Sequence, residues 1–245
     1  MTGFRYFTAF SPIAMTLSLL SASVAIAADP TFSTPPKKTV PAPPELTSFA
    51  QAANWADTIA IAQVEDIDYK KKRNLNASGT AWLKILVPYK GDINKDDYIE
   101  VKAEGLEDWV CYYPDRINEG ERYLVFLKKD KNGQYTGFKP WCQLQVLLDD
   151  QGHYALRFPL DTPAPVPAEY VRQINFQDPH ARIDATEWSS LRREDWAKSH
   201  SAREIVSDNG VTKRYEMKYT KGIPVEYFRP LMQLEIKPRI SSKDI

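Results

Sequence analysis

Between Thr58 and Phe158, short β-branched, apolar runs alternate with turn-forming clusters, and this spacing restricts the fold more than any other feature of the chain. "TIAIAQVEDI" reads as a first strand. "TAWLKILVPY" reads as a second, with Leu83, Ile85, Val87 and Tyr89 on one face and Pro88 marking an edge or an end. After the turn-rich "KGDINKDD" come "YIEVKA" as a third strand and "RYLVFLKK" as a fourth. In "DKNG", Asn132 and Gly133 accept the positive φ values of a tight hairpin, and "QYTGFKPWC" follows as a fifth strand broken by Gly137 and Pro140. "QLQVLLDDQGHYALRF" repeats strand, turn and strand. About six or seven short strands at this spacing predict a barrel or a sandwich, and a small closed barrel leaves no exposed sheet edge.

The flanks differ in character. Arg5, an apolar stretch and the small-x-small triplet Ala25-Ile26-Ala27 form a secretory signal peptide over residues 1–27, cleaved near Ala27-Ala28. Its apolar core is short for a bilayer span, and no later run is long enough to cross one. Residues 28–45 form a Pro-rich, extended linker. "LTSFAQAANWAD" predicts a short helix capped by Thr47 or Ser48. Beyond the strands, residues 159–183 read as a second Pro-rich linker and residues 184–245 as a small α+β extension. That extension holds a helix in "DATEWSSLRREDWAKSH", with Asp184 and Glu187 in a capping-box pattern, and a hairpin around Asn209-Gly210. The fold class expected is mainly β (α+β).

Export sets the chemistry of the cysteines. Cys111 and Cys142 are the only two, and in an oxidising compartment they predict a disulfide. Closing that loop stabilises the fold by roughly 3–4 kcal/mol. The bridge staples the strand ending at Cys142 to the loop around Cys111. Two cysteines are too few for a Cys-only zinc site.

The central region resembles the bacterial secreted domains with the netrin-like, tissue-inhibitor-of-metalloprotease-like OB barrel. The residues that carry the resemblance are "WADTIAIAQV", "VPYKGD", "YIEV", Cys111, and "EGERYLVFL" before "NGQY". It covers roughly residues 46–158 and implies a helix packed against a five-stranded barrel, with Gly120-Glu121 preceding an apolar strand. Eukaryotic metalloprotease inhibitors of this family chelate the protease zinc through an N-terminal Cys-x-Cys. Here the mature chain would begin Ala28-Asp29-Pro30, so that device is absent.

Catalytic constellations are missing from the sequence. His153, His180 and His200 do not fall at metal-ligand spacing, and there is no His-Glu-x-x-His, Gly-x-Ser-x-Gly or Gly-rich phosphate loop. "DDQGH" fits a turn in which Asp side chains satisfy backbone amides better than it fits a cation site. No catalytic, cofactor-binding or metal-binding residues are assigned. Two clusters stand out as candidate binding residues. Lys70, Lys71, Lys72 and Arg73 fall in a loop between the first two strands, next to the usual ligand face of an OB fold. They form either a solvated charge run or a grip on an anionic polymer or acidic protein. Trp109, Tyr112, Tyr113 and Trp141 surround the cysteines, as a small core on the disulfide or as a stacking platform for sugar rings or peptide side chains.

Lys+Arg and Asp+Glu both number 32, so no bulk electrostatic attraction to nucleic acid is implied. The reading is a periplasmic or secreted, non-catalytic binding or envelope-associated module with a protein or glycan partner in the cell envelope. The alternative is a protease inhibitor or regulator acting through barrel loops. Neither the partner's identity nor the oligomeric state is legible.

Overall fold

The computed structural model describes residues 42–114 and 120–235. The expected signal peptide, and residues 28–41 of the expected first linker, lie outside the described residues. A short helix, α1 (Phe49–Trp55), leads into β1 (Thr58–Lys72), β2 (Leu75–Lys90), β3 (Tyr98–Glu104), β4 (Arg122–Lys129) and β5 (Tyr135–Thr136). These five strands close on themselves in the order β1-β2-β3-β5-β4-β1. All neighbours are antiparallel except β3 and β5, which pair in parallel at Val101 and Tyr135. The result is an OB-like barrel. β5 is much shorter than the strand read from "QYTGFKPWC", because the chain turns away after Thr136 and returns only as a single bridge between Phe138 and Val110.

Runs of consecutive apolar residues in β1 and β4 have a structural reason. Every residue of Thr58–Ala62 and of Tyr123–Leu127 is buried, so both strands are covered on both faces. Side chains alternate between two cores. Ala60, Ala62, Val64, Tyr123, Val125 and Leu127 fill the barrel with Leu83, Ile85 and Val101. Ile59, Ile61, Leu124 and Phe126 point outward against Phe49, Ala52 and Ala53 of α1 and against Trp141. Burying each large apolar side chain contributes about 1.5–3 kcal/mol.

Local chemistry fixes α1. Ser48 caps it, its hydroxyl accepting from the Gln51 amide at 3.2 Å. At the other end the Lys90 ammonium donates to the carbonyls of Ala53 and Ala56 at 2.7 and 2.6 Å, where the helix dipole favours a cation.

β4 has a further neighbour. Its first residues pair with β6 (Leu144–Leu148), which pairs with β7 (Tyr154–Arg157). β8 (Arg172–Gln173), β9 (Arg182–Asp184), α2 (Ser190–Ser199), β10 (Ala202–Asp208), β11 (Lys213–Tyr219), β12 (Lys221–Pro224) and α3 (Phe228–Met232) follow among the described residues. β12 pairs with β7 and β8, and β10-β11-β9 form a separate sheet. β12 and α3 return to the barrel, where Ile223, Phe228 and Met232 join the core outside β1 and β4. Proline content does not keep residues 159–183 clear of the body. They supply β8, bury Phe176 completely and bury Asp178 to 2% exposure.

α2 begins later than the expected capping box. Ser189 is the cap, accepting from the Arg192 amide, whereas Asp184 ends β9 and accepts from the Thr186 amide. The hairpin expected around Asn209-Gly210 joins β10 to β11.

Candidate functional site

Cys111 and Cys142 are bonded, with an S–S distance of 2.08 Å, and both are buried. The bridge ties the segment after β3 to the turn that follows β5. Tyr113 lies beneath it, 1% exposed, its hydroxyl donating to the Cys142 carbonyl at 3.1 Å. Burial pushes the Tyr113 phenol well above its usual pKa. Trp141 is also 1% exposed and packs edge-on against Phe49 at 5.3 Å and Phe126 at 5.4 Å. Of the four aromatics expected either as a core on the disulfide or as a surface platform, Tyr113 and Trp141 belong to the core. Tyr113 and Trp141 have no face left for a ligand, because each fills one of the two cores.

Trp109 and Tyr112 remain half-buried. Tyr112 is held by its hydroxyl, which donates to the Gly105 carbonyl at 3.0 Å, and by edge contact with Tyr69 at 5.0 Å. Trp109 lines a groove of about 510 Å³ together with Trp55, Phe138, Pro43 and Pro44. Trp55 meets Phe138 edge-on at 4.9 Å, and the Lys128 ammonium stands 5.8 Å from the Trp55 ring. Lys102, Glu104, Asp130 and Gln134 form a polar rim. An aromatic floor with a charged rim suits an extended chain with apolar side chains. Trp55 was not singled out in the sequence. It lies in the last turn of α1, and only the fold brings it beside Trp109.

The basic residues Lys70–Arg73 are not in a mobile loop. β1 and β2 continue as a paired ribbon, with Lys70 opposite Ser78, Lys71 opposite Asn76 and Lys72 opposite Leu75. Arg73 and Asn74 form the turn with φ of 51° and 65°, the two-residue geometry that matches the twist of a hairpin. Gly79 is required one turn of the pleat lower. Its φ is +144°, and a Cβ there would sit 2.0 Å from the Asp68 carbonyl oxygen.

A second concavity of about 920 Å³ lies between the start of β4 and the sheet β10-β11-β9. Glu121 and His180 face each other in it at 3.6 Å, and the Tyr123 hydroxyl donates to the other Glu121 oxygen. Arg182 pairs with Glu216 at 3.0 Å and Arg214 with Asp184 at 3.3 Å. These charges neutralise one another. His153 is 3.4 Å from Asp149, and His200 stacks on Trp196 at 4.3 Å, so the three histidines serve separate local contacts. Asp149 organises its own turn, accepting from the amides of Gln151 and His153 at 2.8 and 2.7 Å. Among the described residues no group of three or more His, Cys, Asp or Glu is arranged to hold a metal ion, and no helix is long and apolar enough to cross a membrane.

No protein-family model, curated protein or solved structure matches this chain.

Proposed function

We propose that this chain is an exported, non-catalytic binding module of the netrin-like type, and that it receives an extended polypeptide segment of a partner in the groove between Trp55, Trp109 and Phe138. The signal-like N-terminus and the disulfide support a periplasmic or secreted setting. One observation carries the choice of site and of partner. Pro43 and Pro44 line the groove with Trp55, Trp109 and Phe138, and residues 42–47 belong to no helix or strand, so a non-helical segment of this chain already borders the aromatic floor. Half-buried tryptophans set in a rigid frame are the residues that dominate peptide affinity.

Selection from a library of displayed random peptides tests this with the full chain. Enriched peptides should quench or shift tryptophan fluorescence and bind Trp109→Ala about 30-fold more weakly, the loss of a hot spot of about 2 kcal/mol. Trp82→Ala, on the barrel wall opposite Asp66 and Glu100, should bind as the parent does. Peptides that bind Trp109→Ala as tightly as the parent would overturn the assignment. So would saturable binding of oligosaccharides in the same groove with no peptide bound.

A further inference from the structure

The tip of the β1–β2 ribbon has features that the groove does not use. β3 accompanies β2 only as far as Ser78, opposite Glu104, so beyond that point two strands run on alone. At about 3.3 Å per residue, the ribbon projects roughly 10 Å past the three-stranded part of the wall. Its base is anchored. The Tyr69 hydroxyl accepts from the Tyr113 amide at 3.1 Å, and the Tyr69 ring packs on Tyr112, next to the disulfide.

On this projection the sequence "YKKKRNLNASGT" carries four cations and no acid. Lys70, Lys71, Lys72 and Arg73 are all exposed, and Lys70, Lys72 and Arg73 make no ion pair among the described residues. Arg73 occupies a left-handed position that Gly or Asn fills at lower cost, so a cation is kept at the apex against local preference. Directly opposite Lys72 stands Leu75, 61% exposed and without a core to enter. A solvated charge run explains the lysines but not the leucine beside them.

We infer that the ribbon tip docks on a bilayer surface rich in anionic phospholipid, with Lys70, Lys72 and Arg73 against the headgroup phosphates and Leu75 dipping into the boundary with the acyl chains. Coulombic attraction brings the tip to the surface, and the apolar side chain distinguishes a membrane from a soluble polyanion. The inference does not depend on the groove at Trp109.

Flotation of the purified full chain with vesicles tests it. Vesicles of phosphatidylcholine with about one third phosphatidylglycerol should retain the protein at 0.1 M salt and release it at about 0.5 M, while pure phosphatidylcholine should not retain it. Each cation near such a surface is worth about fivefold in affinity, so Lys70→Ala/Lys72→Ala/Arg73→Ala should bind about 100-fold more weakly. Leu75→Ser should lose about tenfold with its charges intact. All four side chains are exposed, so the melting temperatures of these variants should match the parent's. Retention of the triple variant on anionic vesicles would overturn the inference. Equal binding by Leu75→Ser, or binding to inorganic polyphosphate without binding to vesicles, would overturn it too.

Discussion

Asp178 is the residue whose loss should damage the fold most for the fewest atoms removed. Its carboxylate is wholly enclosed, and one oxygen accepts from the Arg122 guanidinium and from the Leu148 amide, both at 3.0 Å. The other accepts from the His180 amide at 3.0 Å. One side chain therefore joins the start of β4, the end of β6 and the turn before β9. Asp178→Ala leaves a guanidinium only 19% exposed without its partner and strips two amides of theirs. Breaking a buried ion pair from one side costs about 3–5 kcal/mol, and we expect the upper half of that range because two partly buried amides are orphaned as well. Asp178→Asn keeps acceptor oxygen but loses the charge, and should cost about half as much. With a urea m-value of about 2 kcal/mol/M, the midpoint should fall by about 2 M for Ala and about 1 M for Asn. Adding Arg122→Met to Asp178→Ala should restore about 1–2 kcal/mol, since no uncompensated charge then remains. A midpoint shift under about 0.5 M for Asp178→Ala, or a double variant less stable than Asp178→Ala alone, would refute the reasoning.

Three further outcomes follow from the same structure. Replacing both cysteines by alanine should cost about 3.7 kcal/mol in equilibrium unfolding, the chain-entropy value for a separation of 31 residues, with the folded circular dichroism spectrum retained. Asp57 accepts from the Lys128 ammonium at 3.0 Å and the Lys129 amide at 3.1 Å, and the Lys128 hydrogen bond, then the amide, hold its pKa below the ordinary carboxylate value. Its folded pKa is thus the lower one, so its contribution is complete above the unfolded value and disappears as pH falls through the folded one. Melting temperatures between pH 6 and pH 3 should decline less steeply for Asp57→Asn, and parallel curves would reject the assignment. Gly79→Ala should destabilise by about 2–3 kcal/mol in thermal melts, because the new Cβ meets the Asp68 carbonyl oxygen and the backbone lies at φ +144°. Unchanged melting would show that the ribbon pairs differently.

What the sequence made legible was the part governed by local pattern. The unbroken apolar runs of β1 and β4 and the Ser48 cap follow from residues near in sequence, whereas of the expected Asn132-Gly133 pair only Gly133 takes a positive φ, in a longer loop between Lys129 and Tyr135. The β1–β2 ribbon did not, because a two-stranded projection has no core face. "YKKKRNLNASG" therefore lacks the alternating apolar residues by which strands are recognised. The aromatics around the cysteines were visible as a group, but which of them face inward depends on the closure of the barrel and on α1. Trp141 is buried by Phe49 and Phe126, which come from elements distant in sequence. Glu121 and His180 were visible singly, but nothing local joined them to Asp178. Their meeting depends on pairing between β4, β6 and a proline-rich stretch whose composition argued for a tether.

The outward-facing residues of the first strand wait a long time for their cover. Ile59 and Ile61 are made well before Ile223, Phe228 and Met232, with which they share a core. A product that stops before Lys221 is consequently no smaller working edition of the protein. It exposes a greasy flank that invites clumping or degradation.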